Sequence, residues 1–245
     1  MAHLLIHVVS GGVGAIRQAA DRPGGAPPDA APSRPSLPDL DVLVIDCQAT
    51  AAAPRGHLIE LGWARAGPGG TTLHTRLIAL PSHARIPPAV AKVTGISDAM
   101  LCHGIDPQAA WRALAAEAST FAPQPVPTVA HFARFERPFL WSLAAGAPPF
   151  DLVCTHGIAR RLLPDLPRCG LRALAGYFGL GVGALRRSGD HVQATAFVWR
   201  QLVRLLGEQG VSSWSDLQRW LAAPARAGRR PGRVWPMPRE VRLSV

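Results

Sequence analysis

Lysine is almost missing from this chain: Lys92 stands alone beside 25 arginines among 245 residues. Long apolar runs are missing too. None approaches the roughly 18–20 residues of a helical membrane span, so no membrane association is expected. The opening Met1–His7 lacks the basic stretch that begins a secretory signal. Cysteine is scarce and scattered (Cys47, Cys102, Cys154 and Cys169), with no C-x-x-C pair to suggest a metal cluster or a redox motif. Cys47 and Cys154 lie inside apolar strand-like runs, where a thiol behaves as a small hydrophobe. Gly11-Gly12-Val13-Gly14 is followed by neither a G-x-G-x-x-G pattern nor a Walker Lys-Ser/Thr, so it does not read as a phosphate loop. Together these absences predict a cytoplasmic globular protein.

What is present is unevenly distributed. Hydrophobic residues make up 48% of the chain, enough for a sizeable core, and Gly and Pro number 24 each. Six prolines and two glycines fall within residues 21–40, so residues 1–40 are expected to form a largely disordered Pro/Gly-rich arm. The net charge is +10. Residues 41–208 carry 16 basic and 11 acidic side chains, and residues 224–245 carry six arginines against one glutamate. Guanidinium forks match phosphate oxygens and release counterions. That tail therefore reads either as a phosphate-contacting arm or as a solvated basic tail.

From Asp41 onward the pattern becomes regular. Val42–Ile45 is a β-branched apolar run ending at Asp46, as in a central strand with a polar tip. His57–Ala64 and Thr72–Ile78 follow as strands joined by short spacers that suit hairpins. Helical spacing is seen over Pro87–Thr94, Pro107–Phe121 (with Asp106 as N-cap), Phe135–Ala145, Leu171–Phe178 and His191–Leu206. Val126–Ala130 and Phe150–Cys154 read as strands between them. The layout predicts an α/β domain over 41–207, a mixed five-stranded sheet flanked by helices. Residues 208–245 should add a packing helix through Trp214, Leu217, Trp220 and Leu221, then the arginine-rich tail.

Four local features could carry chemistry: Asp46-Cys-Gln48-Ala-Thr50 at the end of the first strand, His131-Phe132-Ala-Arg134-Phe-Glu136 after the fourth, Asp151 in the fifth, and Asp190-His191 at the start of the last long helix. In this order the chain resembles the DEDDh 3′–5′ exonucleases, a ribonuclease-H-like family typified by the epsilon subunit of bacterial DNA polymerase III. Asp46 through Thr50 is similar to the motif Asp-x-Glu-x-Thr. Leu58–Gly62 resembles the paired second strand, and Val93–Ser97 a recurrent Thr-Gly-Ile-Thr turn. Val129–Leu140 resembles Ala-His-Asn-Ala-x-Phe-Asp-x-x-Phe-Leu. Asp190-His191 resembles the start of a motif in which His is followed five residues later by Asp. The terminal Val234–Val245 is also similar to the segment leading into a GIY-YIG module in exonuclease/excinuclease-C-like fusions, although no GIY-YIG motif is present.

The resemblance implies hydrolysis of DNA from 3′ ends, in replication or repair, by two Mg²⁺ or Mn²⁺ ions held by four carboxylates. In that scheme a histidine deprotonates the attacking water. It assigns Asp46, Glu136 and Gln48 to the metal, with Asp46, Glu136 and His191 catalytic. Thr50, His131, Phe132 and Arg134 would meet nucleic acid, with Thr50 also capping the turn after its strand and His131 otherwise packing or hydrogen-bonding beneath the sheet, and a nuclease or polymerase would be the partner. The chain departs from the pattern where the chemistry is done. Gln48 replaces a Glu, Glu136 replaces an Asp, Phe132 replaces an Asn, and Ala196 stands five residues beyond His191. Two carboxylates remain of four, unless Glu60 or Asp190 substitutes. Two lost ligands could remove on the order of 10⁴-fold in rate. Two functions therefore stay open: a weakened 3′–5′ exonuclease, or a degenerate exonuclease fold that binds nucleic acid or scaffolds a nuclease. His191 is either the general base or simply a helix-start histidine.

Overall fold

In the computed structural model the described residues are 35–181, 183 and 185–224. The expected arm is thus outside the described residues apart from 35–40. The arginine tail beyond residue 224, with the Val234–Val245 segment, lies outside them.

The five strands form where the apolar alternation placed them. They are β1 (Val42–Ala49), β2 (Leu58–Gly67), β3 (Gly70–Leu77), β4 (Val126–Ala130) and β5 (Phe150–Cys154), in the order β3-β2-β1-β4-β5. β1 pairs antiparallel with β2 and parallel with β4; β3 closes the antiparallel edge and β5 the parallel one. The helices are α1 (Pro88–Thr94), α2 (Asp98–Leu101), α3 (Pro107–Ala118), α4 (Ala133–Ala144), α5 (Thr155–Leu162), α6 (Leu171–Tyr177), α7 (Ser188–Glu208) and α8 (Trp214–Ala222). None of the described helices is long and apolar enough to cross a membrane. Asp106 caps α3 as expected, its Oδ1 accepting from the N–H groups of Gln108 and Ala109.

β1 is central, and its side chains Val42 to Cys47 are buried on both faces. Val42 and Val44 pack with Val192, Ala196, Trp199 and Val203, the predicted stripe of α7. Leu43, Ile45 and Cys47 pack on the opposite face with Ala110 and Leu114 of α3 and Leu140 of α4. Asp46 and Gln48 continue the Val42–Val44 side, since strand side chains alternate, and so they emerge toward α7. Opposite Asp46 in the β1–β2 register is Gly62. A Cβ there would lie 2.7 Å from Ser188 Oγ, so glycine is what lets the first turn of α7 approach the sheet. The packed unit is wider than the expected 41–207, because Leu37, Leu40 and Leu217 join the α7 cluster and Leu37 N–H donates to Ser212 O at 2.7 Å. α2 and α5 were not legible in the sequence. α5 starts directly after β5 with no side-chain cap.

Candidate functional site

Asp46 sits near the end of β1, buried, and the first turn of α7 lowers His191 onto it. His191 Nδ1 lies 3.2 Å from Asp46 Oδ1, and Gln48 Nε2 lies 3.0 Å from Asp46 Oδ2. Gln48 Nε2 is also 3.2 Å from His191 Nδ1. If Nδ1 carries the proton that the Asp46 carboxylate accepts, it cannot also accept from the amide, so this last contact is proximity only. Burial raises the Asp46 carboxyl above its usual range, outweighing the hydrogen bond from His191. Burial alone would depress the His191 ring, but the hydrogen bond and charge of Asp46 outweigh it and the ring is raised. Asp46, Gln48 and His191 therefore form one polar triad.

Glu136, on the first turn of α4, is near enough to feel the charge of Asp46. Only 3% of the residue is exposed, and Oε2 has no hydrogen-bond partner. Burial, then the charge of Asp46, pushes its carboxyl up to about 9. A pKa raised from 4.5 to about 9 on folding means the native state holds the extra proton between those values, so stability falls as pH rises through that window. Glu136→Gln, in a chelator, should match the wild type below pH 4.5 and gain progressively above it. By pH 8 the gain should reach about 2 kcal/mol, well under the ~5 kcal/mol that 1.36 kcal/mol per unit allows by that pH. Urea unfolding at pH 4 and pH 8 measures this. A gain equal at both pH values would contradict the protonated carboxyl.

The acids expected as substitutes for the missing carboxylates are already engaged. Glu60 on β2 is 1% exposed and accepts from Arg187 Nε at 3.0 and 3.1 Å, from Arg187 Nη2, and from Ser188 N–H at 2.8 Å. Asp190 Oδ2 accepts from the Arg186 and Arg187 N–H groups at 3.1 Å each, closing the α7 N-terminus. Asp151 accepts from Trp214 Nε1 at 2.7 Å and from Gln218 Nε2, so it pins α8 to β5 and is not part of the site. Ala196 is a correction to the expected ligand pattern. At about 100° per helical residue, five residues carry it some 140° around α7 from His191, into the core at 1% exposure. The α7 side chain that reaches Asp46 is His191 itself.

Two of the expected nucleic-acid contacts take the structural roles that were the other reading of them. His131 is 6% exposed, and its Nδ1 lies 2.9 Å from Thr155 Oγ1, a hydroxyl that donates to Ala130 O. Burial, with the charges of His156 and His191 adding to it, pulls its ring down to about 3, so it is a neutral packing residue. Thr50 is buried, with its hydroxyl accepting from His57 N–H at 2.8 Å, and it closes the β1–β2 turn. Phe132 and Arg134 are exposed, as a contact role requires. The sequence reading missed His156 and Arg187. His156 could have been found by position: it follows the end of β5 by two residues as Phe132 follows the end of β4, and Ala130 and Cys154 are partners across those parallel strands.

The donor set does not fit a pair of Mg²⁺ or Mn²⁺ ions. Hard divalent cations take charged or carbonyl oxygens. Here Asp46 has His191 Nδ1 at 3.2 Å from one oxygen and the Gln48 amide nitrogen at 3.0 Å from the other, so the two carboxylates that remain leave few free oxygens. Among the described residues no three His, Cys, Asp or Glu side chains are placed to hold a metal ion.

Comparison with known proteins bears on the fold. No family model matches the chain. It is 30% identical over 209 residues to the Mycobacterium tuberculosis protein named "Putative bifunctional exonuclease/endonuclease protein MT2247". That match covers 79% of this chain but only 31% of the relative. Among solved structures, exonuclease X in complex with 5′-overhanging duplex DNA superposes with a TM-score of 0.51 at 19% identity, over 69% of this chain and 93% of that one. E. coli exonuclease I in complex with a dT13 oligonucleotide gives 0.59 at 12% identity, over 70% and 43%. The zinc-bound E. coli exonuclease I–ssDNA complex gives 0.55 at 12%, over 70% and 41%. A mixed five-stranded sheet flanked by helices is common to them, and the chain has the ribonuclease-H-like α/β fold of exonucleases I and X, which bears out its resemblance to the DEDDh exonucleases.

Proposed function

We propose that this chain is a nucleic-acid-binding module built on an exonuclease fold whose cleft has lost the metal-holding carboxylates. One observation carries the reading: every acid near the cleft other than Asp46 and Glu136 is consumed by a structural contact, Glu60 by Arg187 and Ser188, and Asp190 by the α7 N-terminus. In this reading His191 occupies the place of the third motif's carboxylate, because it is the α7 residue beside Asp46. The position five residues earlier is then Arg186, whose guanidinium donates to Lys92 O at 2.7 Å and Val93 O at 3.3 Å at the end of α1. Support for nucleic acid as the ligand comes from the net charge of +10 and from DNA in the complexes of exonucleases X and I. A nuclease module as partner is supported by the bifunctional relative, of which this chain spans about a third.

A second reading, a 3′–5′ exonuclease acting on DNA ends in replication or repair with Mg²⁺ or Mn²⁺, is favoured by the convergence of Asp46, Glu136 and His191 on one cleft. A 5′-labelled single strand incubated with stoichiometric protein and Mg²⁺ or Mn²⁺ separates the two. The binding module leaves the strand intact over hours. Shortening that disappears in Asp46→Asn establishes the exonuclease.

A further inference from the structure

Beside the Asp46–His191 cleft, at the carboxyl ends of β4 and β5, lies a pair of rings that the fold does not need for packing. Phe132 is 37% exposed, and apart from Val93 it is the one exposed large hydrophobic side chain among the described residues. Its backbone is held in the left-handed region at φ 61°, ψ 45°, where a side chain with a Cβ is strained. That conformation turns the ring onto His156, with centroids 4.3 Å apart and planes inclined by 31°. The buried His131 ring supports both from below, edge-on, at 4.7 Å to Phe132 and 5.7 Å to His156. An exposed aromatic kept in a strained conformation, stacked on a second ring and supported by a third, is a preformed flat platform.

His156 also opens a groove of about 1070 Å³ that runs along α5 and α6, walled by Arg160, Arg168 and Arg172. No acidic residue lines it. All three arginines are exposed, and none forms a salt bridge among the described residues. Arg172 Nη1 donates to Gly183 O at 3.0 Å, which leaves its other N–H groups free to bind. A flat ring pair leading into a groove with three guanidinium groups matches the two chemistries of a single strand, a base with a π face and a phosphodiester backbone.

We infer that Phe132 and His156 form a stacking platform for one base of a single-stranded nucleic acid, and that the Arg160–Arg168–Arg172 groove carries the strand's phosphates away from the cleft. This rests on the nucleic-acid-binding reading and adds the path of the strand to it. A duplex does not suit the platform, because its bases are already stacked on one another.

The test is binding of fluorescein-labelled (dT)₁₂ to the full chain in EDTA, read by anisotropy across a salt series, with thermal unfolding confirming that each variant is folded. Phe132→Ala and His156→Ala should each weaken binding about tenfold. Arg160→Gln with Arg168→Gln should flatten the slope of log K against log salt by about 1.4, at about 0.7 per single-strand phosphate contact. A 2-aminopurine in the strand should be quenched by the wild type and not by Phe132→Ala. If wild type binds (dT)₁₂ and all three folded variants bind it equally well with an unchanged slope, the platform and groove are refuted while the binding module stands. If the wild type binds neither (dT)₁₂ nor a duplex, both fall together.

Discussion

Arg187→Ala should lower stability by about 3 kcal/mol, the largest loss expected from any single change at a polar group in this protein. Glu60 has a side chain only 2% exposed, and three of its four hydrogen bonds come from Arg187. Removing the guanidinium leaves a buried carboxylate with one backbone donor, and breaking such a pair typically costs 3–5 kcal/mol. Arg187 itself is 35% exposed, so water screens part of the pair and the low end applies. Glu60→Gln, which keeps an acceptor for Ser188 N–H, should cost less. Urea midpoints of the two variants read both losses. A loss below 1 kcal/mol for Arg187→Ala would mean that the β2–α7 clamp is not formed.

Gln48→Glu combined with His191→Asp should raise the affinity of the cleft for divalent metal above that of the wild type. The two substitutions add carboxylates on either side of Asp46, where Gln48 and His191 now lie at 3.0 and 3.2 Å, and with Glu136 the count returns to four. Without metal the variant should be less stable than wild type, since four carboxylates in one cleft repel. Mn²⁺ should then raise its Tm with concentration, as ligand linkage requires. Strand shortening should rise at least ~10²-fold over wild type, since each 1.36 kcal/mol recovered in the transition state is tenfold. Ala196→Asp is the matched control. It places a carboxylate against Val42, Val44 and Trp199 in the core, so it should destabilise without conferring metal response. If the control gained Mn²⁺ affinity and the Gln48/His191 pair did not, the assignment of His191 to the ligand position would be wrong.

The site is thus poorer in charge than its fold predicts, and what replaced the charge is informative. Gln48 and His191 satisfy Asp46 with N–H groups, and Glu136 is left to hold a proton. A cleft built this way is neutralised internally, where a two-metal cleft would be neutralised by its ions. The arginine-lined groove lies next to it, at the ends of β4 and β5 and along α5 and α6.

Much of this was determined by the sequence alone. Short, mostly apolar runs bounded by turn residues placed five strands, with Val126–Ala130 and Phe150–Cys154 matching to the residue. The Val192–Ala196–Trp199–Val203 stripe fixed the buried side of α7, since helical spacing admits only one such face. The depletion of carboxylates was also plain from the residues themselves. Only the tertiary structure decided which partners the survivors have. Glu60 and Arg187 are 127 positions apart and Asp46 and His191 are 145 apart, and nothing local records that α7 descends onto β1 and β2 at Gly62. The counting of motif positions went astray at Ala196 for the same reason: sequence spacing measures distance along the helix, whereas the direction of a side chain depends on the rotation between residues.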